Sequence, residues 1–188
     1  MSPVTIAGVF VGGAGSRMGG AAKGLLQAPD GVTIIERWRV LLRAAGVAEI
    51  VLVGAHEAYA SLGLERVEDV PGGAGPLGGV VALLRRAGEG RALAVACDMP
   101  FVSLGLIERL VRAPDAPLVA PRLDGRWEPF CARYDAPRVL PVAERQMATD
   151  ARSLQRLFDA AGASELPLAP GELAELRDWD TPEDVTRP

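Results

Sequence analysis

Hydrophobic positions divide the first two thirds of the chain into alternating short and long elements. Val4 to Val11 is a short β-branched apolar run stopped by glycine, the pattern of a strand buried on both faces. In Thr33 to Gly46 the apolar residues Ile34, Ile35, Trp38, Leu41, Leu42 and Ala45 recur at helical spacing, and Gly46 is a natural C-terminal stop. Glu49 to Gly54 predicts the next strand and Leu64 to Val67 a shorter one. A helix is predicted over Leu77 to Ala87, a fully apolar strand over Arg91 to Cys97, and a helix over Ser103 to Arg112 with Ser103 as its cap. Strands that are apolar throughout, alternating with helices, predict a parallel sheet covered on both sides.

The pattern changes after Pro114. Asp124-Gly125 lies between two strand-like runs and predicts a hairpin or antiparallel insertion. Helical stretches follow near Pro137 to Met147 and Ala151 to Ala161, Pro167 to Gly171 reads as a loop, and Thr181-Pro182-Glu183-Asp184 reads as a helix start. No internal repeat or low-complexity linker interrupts the chain. The expected fold is therefore α/β, a mostly parallel sheet with a small antiparallel insertion. We read one domain over residues 1–188, its first half about 1–112 and its second about 113–188.

Composition narrows the function classes. The 188 residues are 49% hydrophobic with 23% charged, an ordinary globular balance. The net charge of −4 argues against a general nucleic-acid binder, which would carry a basic face. Cys97 and Cys131 show no paired spacing, so neither a disulfide framework nor a zinc site is expected. The N-terminus has no basic leader and no apolar run reaches membrane-spanning length, so a soluble cytoplasmic protein is expected. No coiled-coil seam appears, and a monomer is expected.

The candidate chemistry sits in the glycine-rich stretch from Gly8 to Leu26. Its loop, Gly12 to Gly24, leaves the carboxyl end of the first strand, the edge where open α/β sheets bind ligands. Bare backbone there lets N–H groups approach phosphate oxygens. It is not a P-loop, because Lys23 follows Ala22 and precedes Gly24. It is not a dinucleotide fingerprint, because Gly13 and Gly15 are followed by Met18 where a third glycine is needed.

What remains is Gly12-Gly13-x-x-x-Arg17-Met18-Gly19-Gly20-x-x-Lys23. This spacing resembles the signature loop of sugar-phosphate-type nucleotidyltransferases and, more narrowly, of molybdenum cofactor guanylyltransferases. Val67 to Gly79, Ala96 to Ser103, Arg126 to Asp135 and Asp178 to Val185 are similar to further motifs of that family, in the same order. Five positions depart from it: Val11 stands for alanine, Ala22 for aspartate, Gly54 for an asparagine of some members, and Asp178 with Asp180 for paired asparagines.

The resemblance implies a three-layer, Rossmann-like nucleotidyltransferase fold that moves GMP from GTP to molybdopterin and releases pyrophosphate. A cytidylyltransferase using CTP on the same acceptor is the near alternative, and a non-catalytic nucleotide-binding protein of the same fold is another. Both reactants are anions, so the chemistry needs a divalent cation, a carboxylate to hold it and fixed positive charge. Asp98, at the end of an apolar strand, suits the carboxylate; on the residue alone a turn or capping role is equally open, and the resemblance assigns it magnesium, or manganese. Lys23 and Arg17 suit the cations, against the alternative of solvated surface charges, which weighs more on Arg17. The resemblance places Phe10, Val11, Gly12, Gly13, Gly15, Lys23, Gly54, Asp69, Pro76, Leu77 and Asp98 around the nucleotide. Asp178 and Asp180 could add a metal carboxylate or meet the acceptor, or one of them could cap the last helix. Trp127 and Glu128 beside the turn are candidates for pterin contact, although Trp38, Trp127 and Trp179 suit packing. His56 reads as a surface residue and the cysteines as buried thiols. A protein that delivers the molybdopterin is a plausible partner.

Overall fold

A computed structural model describes residues 4–11, 22–70, 75–149 and 152–186. Among them the main sheet has seven strands in the order β3-β2-β1-β4-β8-β5-β9. They are β1 (Val4–Phe10), β2 (Glu49–Val53), β3 (Glu65–Val67), β4 (Arg91–Ala96), β5 (Leu118–Ala120), β8 (Cys131–Asp135) and β9 (Ser164–Glu165). The first four run parallel, and β8 pairs antiparallel with β4 and β5. A separate two-stranded ribbon joins β6 (Arg122–Leu123) and β7 (Arg126–Trp127).

Helices cover both faces. On one side α1 (Ile34–Ala44) and α3 (Leu104–Arg112) pack with Ala7, Val9, Leu93 and Val95 of the sheet. On the other, α2 (Pro76–Ala87), α4 (Ala136–Met147) and α5 (Leu154–Ala161) pack with Ile6, Phe10, Ala92 and Ala94. Alternate residues of β1 and β4 thus enter opposite cores, which is why these strands read as continuous apolar runs. The expected cap holds, Ser103 Oγ accepting from the Leu106 N–H at 3.2 Å, and Thr33 Oγ1 caps α1 by accepting from the Glu36 N–H at 3.3 Å. The tail adds α6 (Glu172–Glu175) and α7 (Pro182–Thr186).

The expected small antiparallel element is present: Asp124 (φ 50°) and Gly125 (φ 76°) turn a small hairpin, and the strand after it enters the main sheet antiparallel to β4. The fifth helix begins at Leu154, later than the sequence suggested. A 3-10 turn over Glu57–Leu62 also follows β2, where no element was expected.

Register sets up the functional edge. Phe10 stands abreast of both Val53 and Ala96, and Val53 is abreast of Val67. The chains leaving β1, β2, β3 and β4 therefore open on one edge. Antiparallel β8 starts there as well, with Cys131 opposite Val95, so the segment preceding it approaches the same place.

Candidate active site

Lys23 lies in a 3-10 turn, Lys23–Leu25, just after the glycine-rich loop. Its ammonium donates to Asp98 Oδ2 at 3.0 Å and to Asp180 Oδ1 at 2.8 Å. Asp98 comes from the end of β4, the expected edge. Asp180 comes from the chain's last segment, which docks through the Trp179 N–H donating to the Asp98 carbonyl at 2.9 Å. The Trp179 ring is buried and meets Phe101 edge-on at 6.0 Å. From the other side, Trp38 Nε1 donates to the Ala96 carbonyl at 2.9 Å, tying α1 to the end of β4.

Asp180 is free for Lys23 because it does not cap α7. Asp184 does so, its Oδ2 accepting from the Asp180 N–H at 3.1 Å and from the Thr181 N–H at 2.8 Å. The capping alternative for Asp180 is thereby replaced by an ion pair. Lys23 and Asp98 are mostly enclosed, with 16% and 23% of their side chains exposed, whereas Asp180 keeps 50%. Burial works against the Lys23 charge, but hydrogen bonds and charges from Asp180 and Asp98 outweigh it and hold its pKa above the ordinary 10.5.

Two further acids sense this cluster. Burial raises Asp178, and the charges of Asp180 and Asp98 add to it. Glu128, between the hairpin and β8, is pushed up to about 7 by burial; the Phe130 backbone N–H opposes the shift and the charges of Asp178 and Asp98 reinforce it. Asp69, after β3, is raised by burial. It lies against the first turn of α2: a Cβ on Gly79 would come within 2.9 Å of both Asp69 Oδ1 and Phe10 Cε1. Gly54 leaves β2 with φ 102° while its N–H donates to the Val67 carbonyl at 3.0 Å.

Some expected residues stand differently. The Leu77 side chain is fully buried under α2, so only its backbone faces outward chemistry. Phe10 and Val11 are also buried, Phe10 against Phe130 with centroids 4.6 Å apart. Trp127 packs against Phe158 and donates Nε1 to Asp159 at 3.2 Å, so its ring and polar atom are engaged in the fold. His56 Nδ1 accepts from the Ala58 N–H at 3.3 Å and caps the Glu57–Leu62 turn. Gly12, Gly13, Gly15 and Arg17 lie outside the described residues. Asp184 and Tyr59, both engaged at this edge, were not singled out from sequence. Glycine directly after Lys23 was the one available hint of a close neighbour.

Among the described residues, no group of three His, Cys, Asp or Glu side chains is placed to hold a metal. The Asp98 and Asp180 carboxylates suit magnesium nonetheless, because that ion takes one or two carboxylates and completes its shell with water and substrate phosphates.

Residues 7–165 match the MobA-like NTP transferase domain. The chain belongs to this family. It is 32% identical to the molybdenum cofactor guanylyltransferase of Xanthomonas euvesicatoria pv. vesicatoria, over 95% of this chain and 91% of that protein. Identity to the molybdenum cofactor guanylyltransferase of Pseudomonas putida KT2440 is 34%, over 93% and 92%. The crystal structure of molybdopterin-guanine dinucleotide biosynthesis protein A from Archaeoglobus fulgidus superposes with a TM-score of 0.75 at 26% identity, covering 97% of this chain and 95% of that one. The expected family and three-layer nucleotidyltransferase fold are both borne out. As a member of the MobA-like family, the chain places its lysine and its β4 acid together at the edge where α/β sheets bind ligands.

Proposed function

We propose that the chain transfers GMP from GTP to molybdopterin, giving the guanine dinucleotide form of the cofactor and pyrophosphate. The observation carrying this reading is the Lys23 ammonium set between Asp98 and Asp180. A terminal phosphate oxygen of the acceptor attacks the α-phosphorus of GTP. A new P–O bond forms, the bond to the β-phosphate oxygen breaks, and pyrophosphate carries the electron pair away.

Lys23 bears on the triphosphate, and Arg17 from the glycine-rich loop offsets charge on the departing pyrophosphate. Asp98, with Asp180 beside it, would hold magnesium, which supplies charge neutralisation at the reacting phosphates. Gly12, Gly13 and Gly15 offer backbone N–H groups, with Phe10, Val11, Gly54, Asp69 and the Pro76–Leu77 turn completing the nucleotide side. Glu128 and Asp178 meet the acceptor. The names of the relatives favour GTP over CTP. Action in the cytoplasm as a single-domain monomer, with molybdopterin handed over by a partner protein, belongs to the same reading.

Pyrophosphate release should be measured with GTP, CTP, ATP and UTP, each with magnesium and molybdopterin present. Release with GTP alone supports the reading, release with CTP alone replaces the nucleotide, and binding without release in any case would make the chain a non-catalytic binder.

A further inference from the structure

We propose that Tyr59 is a positioning residue for nucleotidyl transfer, its hydroxyl setting the Lys23 turn against the end of β4. The inference rests on the functional reading above. Tyr59 belongs to the 3-10 turn after β2 and is 2% exposed. Its hydroxyl accepts from the Gly24 N–H at 3.0 Å, across 35 positions of sequence. Its ring lies in the same buried cluster as Cys97, the residue immediately before Asp98. One buried side chain thus joins both backbone segments whose side chains, Lys23 and Asp98, meet at the surface.

The contact is built for closeness. A Cβ on residue 24 would lie 2.7 Å from Ile35 Cγ1 and 3.2 Å from Tyr59 Cε1, so the turn approaches this far only with glycine there. No side chain caps the Lys23–Leu25 turn at Ala22, which leaves the Tyr59 hydroxyl to satisfy the buried Gly24 N–H. The tyrosine is held from behind by His56, whose ring meets it edge-on at 5.2 Å. Because catalysis of this kind depends on placing charge, a small displacement of Lys23 lowers turnover more than binding.

The test is Tyr59→Phe, which removes only the hydroxyl, beside Val139→Ala, which opens a gap under the opposite face of the sheet in α4. Tyr59→Phe is expected to lower kcat by about tenfold or more with KM for GTP within about threefold, while Val139→Ala stays near wild type in both. Amide exchange at Gly24 is expected to quicken by about tenfold in Tyr59→Phe and not in Val139→Ala, a readout that needs no substrate. Kinetics of Tyr59→Phe matching those of Val139→Ala, a loss confined to KM, or unchanged Gly24 exchange would each overturn the proposal. If wild-type protein releases no pyrophosphate, the functional reading fails, and the exchange comparison still decides whether Tyr59 holds the turn.

Discussion

Lys23 Nζ stands 3.0 Å from Asp98 Oδ2, although 75 positions of sequence separate the two. The pair joins the turn after the glycine-rich loop to the end of β4. In the proposed reaction these opposite charges need not stay paired with each other: phosphate oxygens would compete for the ammonium, and a divalent cation would compete for the carboxylate.

Replacing the lysine by an uncharged residue of similar length separates its role from simple packing. Lys23→Met is expected to cost about 2–4 kcal/mol of transition-state stabilisation, roughly 30-fold to 1,000-fold in kcat/KM for GTP. Steady-state pyrophosphate release measures it. A loss below threefold would return Lys23 to the status of a solvated surface cation.

The two aspartates should not be equivalent. Asp98 is the more enclosed, and Asp180 is half exposed at the end of the chain. Asp98→Asn is expected to lower turnover by about a hundredfold or more and to weaken manganese binding to the nucleotide complex, while Asp180→Asn costs about tenfold or less because its half-exposed charge is screened by water. Electron paramagnetic resonance of bound manganese, read beside the kinetics, checks the ranking. Equal losses would contradict it.

Glu128 gives a pH signature. Its pKa rises from the ordinary 4.5 to about 7, so between those values the folded protein holds a proton that the unfolded chain releases. Stability from this group therefore falls as pH rises through that window, and the full penalty is present above about 7. Glu128→Gln is expected to raise Tm relative to wild type at pH 8 and to leave it nearly unchanged at pH 4.5. Melting curves at the two values decide this, and an equal Tm difference at both would show that the Glu128 titration is not the cause.

The first turn of α2 has no room for a side chain at position 79. Gly79→Ala would put its Cβ 2.9 Å from Phe10 Cε1 and 3.0 Å from Val53 Cγ1. A cost of about 1–3 kcal/mol in stability is expected, with weaker GTP binding because Asp69 must shift as well. Chemical denaturation and calorimetric titration measure the two effects.

Much of this edge was legible in the sequence. Apolar runs over β1, β2 and β4 mark strands buried on both faces, and the positions of Lys23 and Asp98 after their strands place them at the ligand edge. Asp124-Gly125 announced its hairpin through local turn chemistry. The entry of β8 between β4 and β5 was not legible, because strand order depends on pairings between distant segments that leave no local periodicity. Asp180 is 157 positions from Lys23, and its freedom depends on Asp184 having taken the capping role. Leu77 was expected beside the nucleotide through the N–H groups of its turn, and helical phase sends its side chain into the core. Tyr59 carries no motif at all. Only the close approach of its turn to Gly24 reveals it.

The most direct test is a crystal structure with magnesium and a GTP analogue that resists transfer. The expected result is a triphosphate running between Lys23 and Asp98, with the metal on the Asp98 carboxylate and the Lys23–Asp98 hydrogen bond opened to admit it. Nucleotide bound away from this edge, or a triphosphate touching neither side chain, would contradict the account.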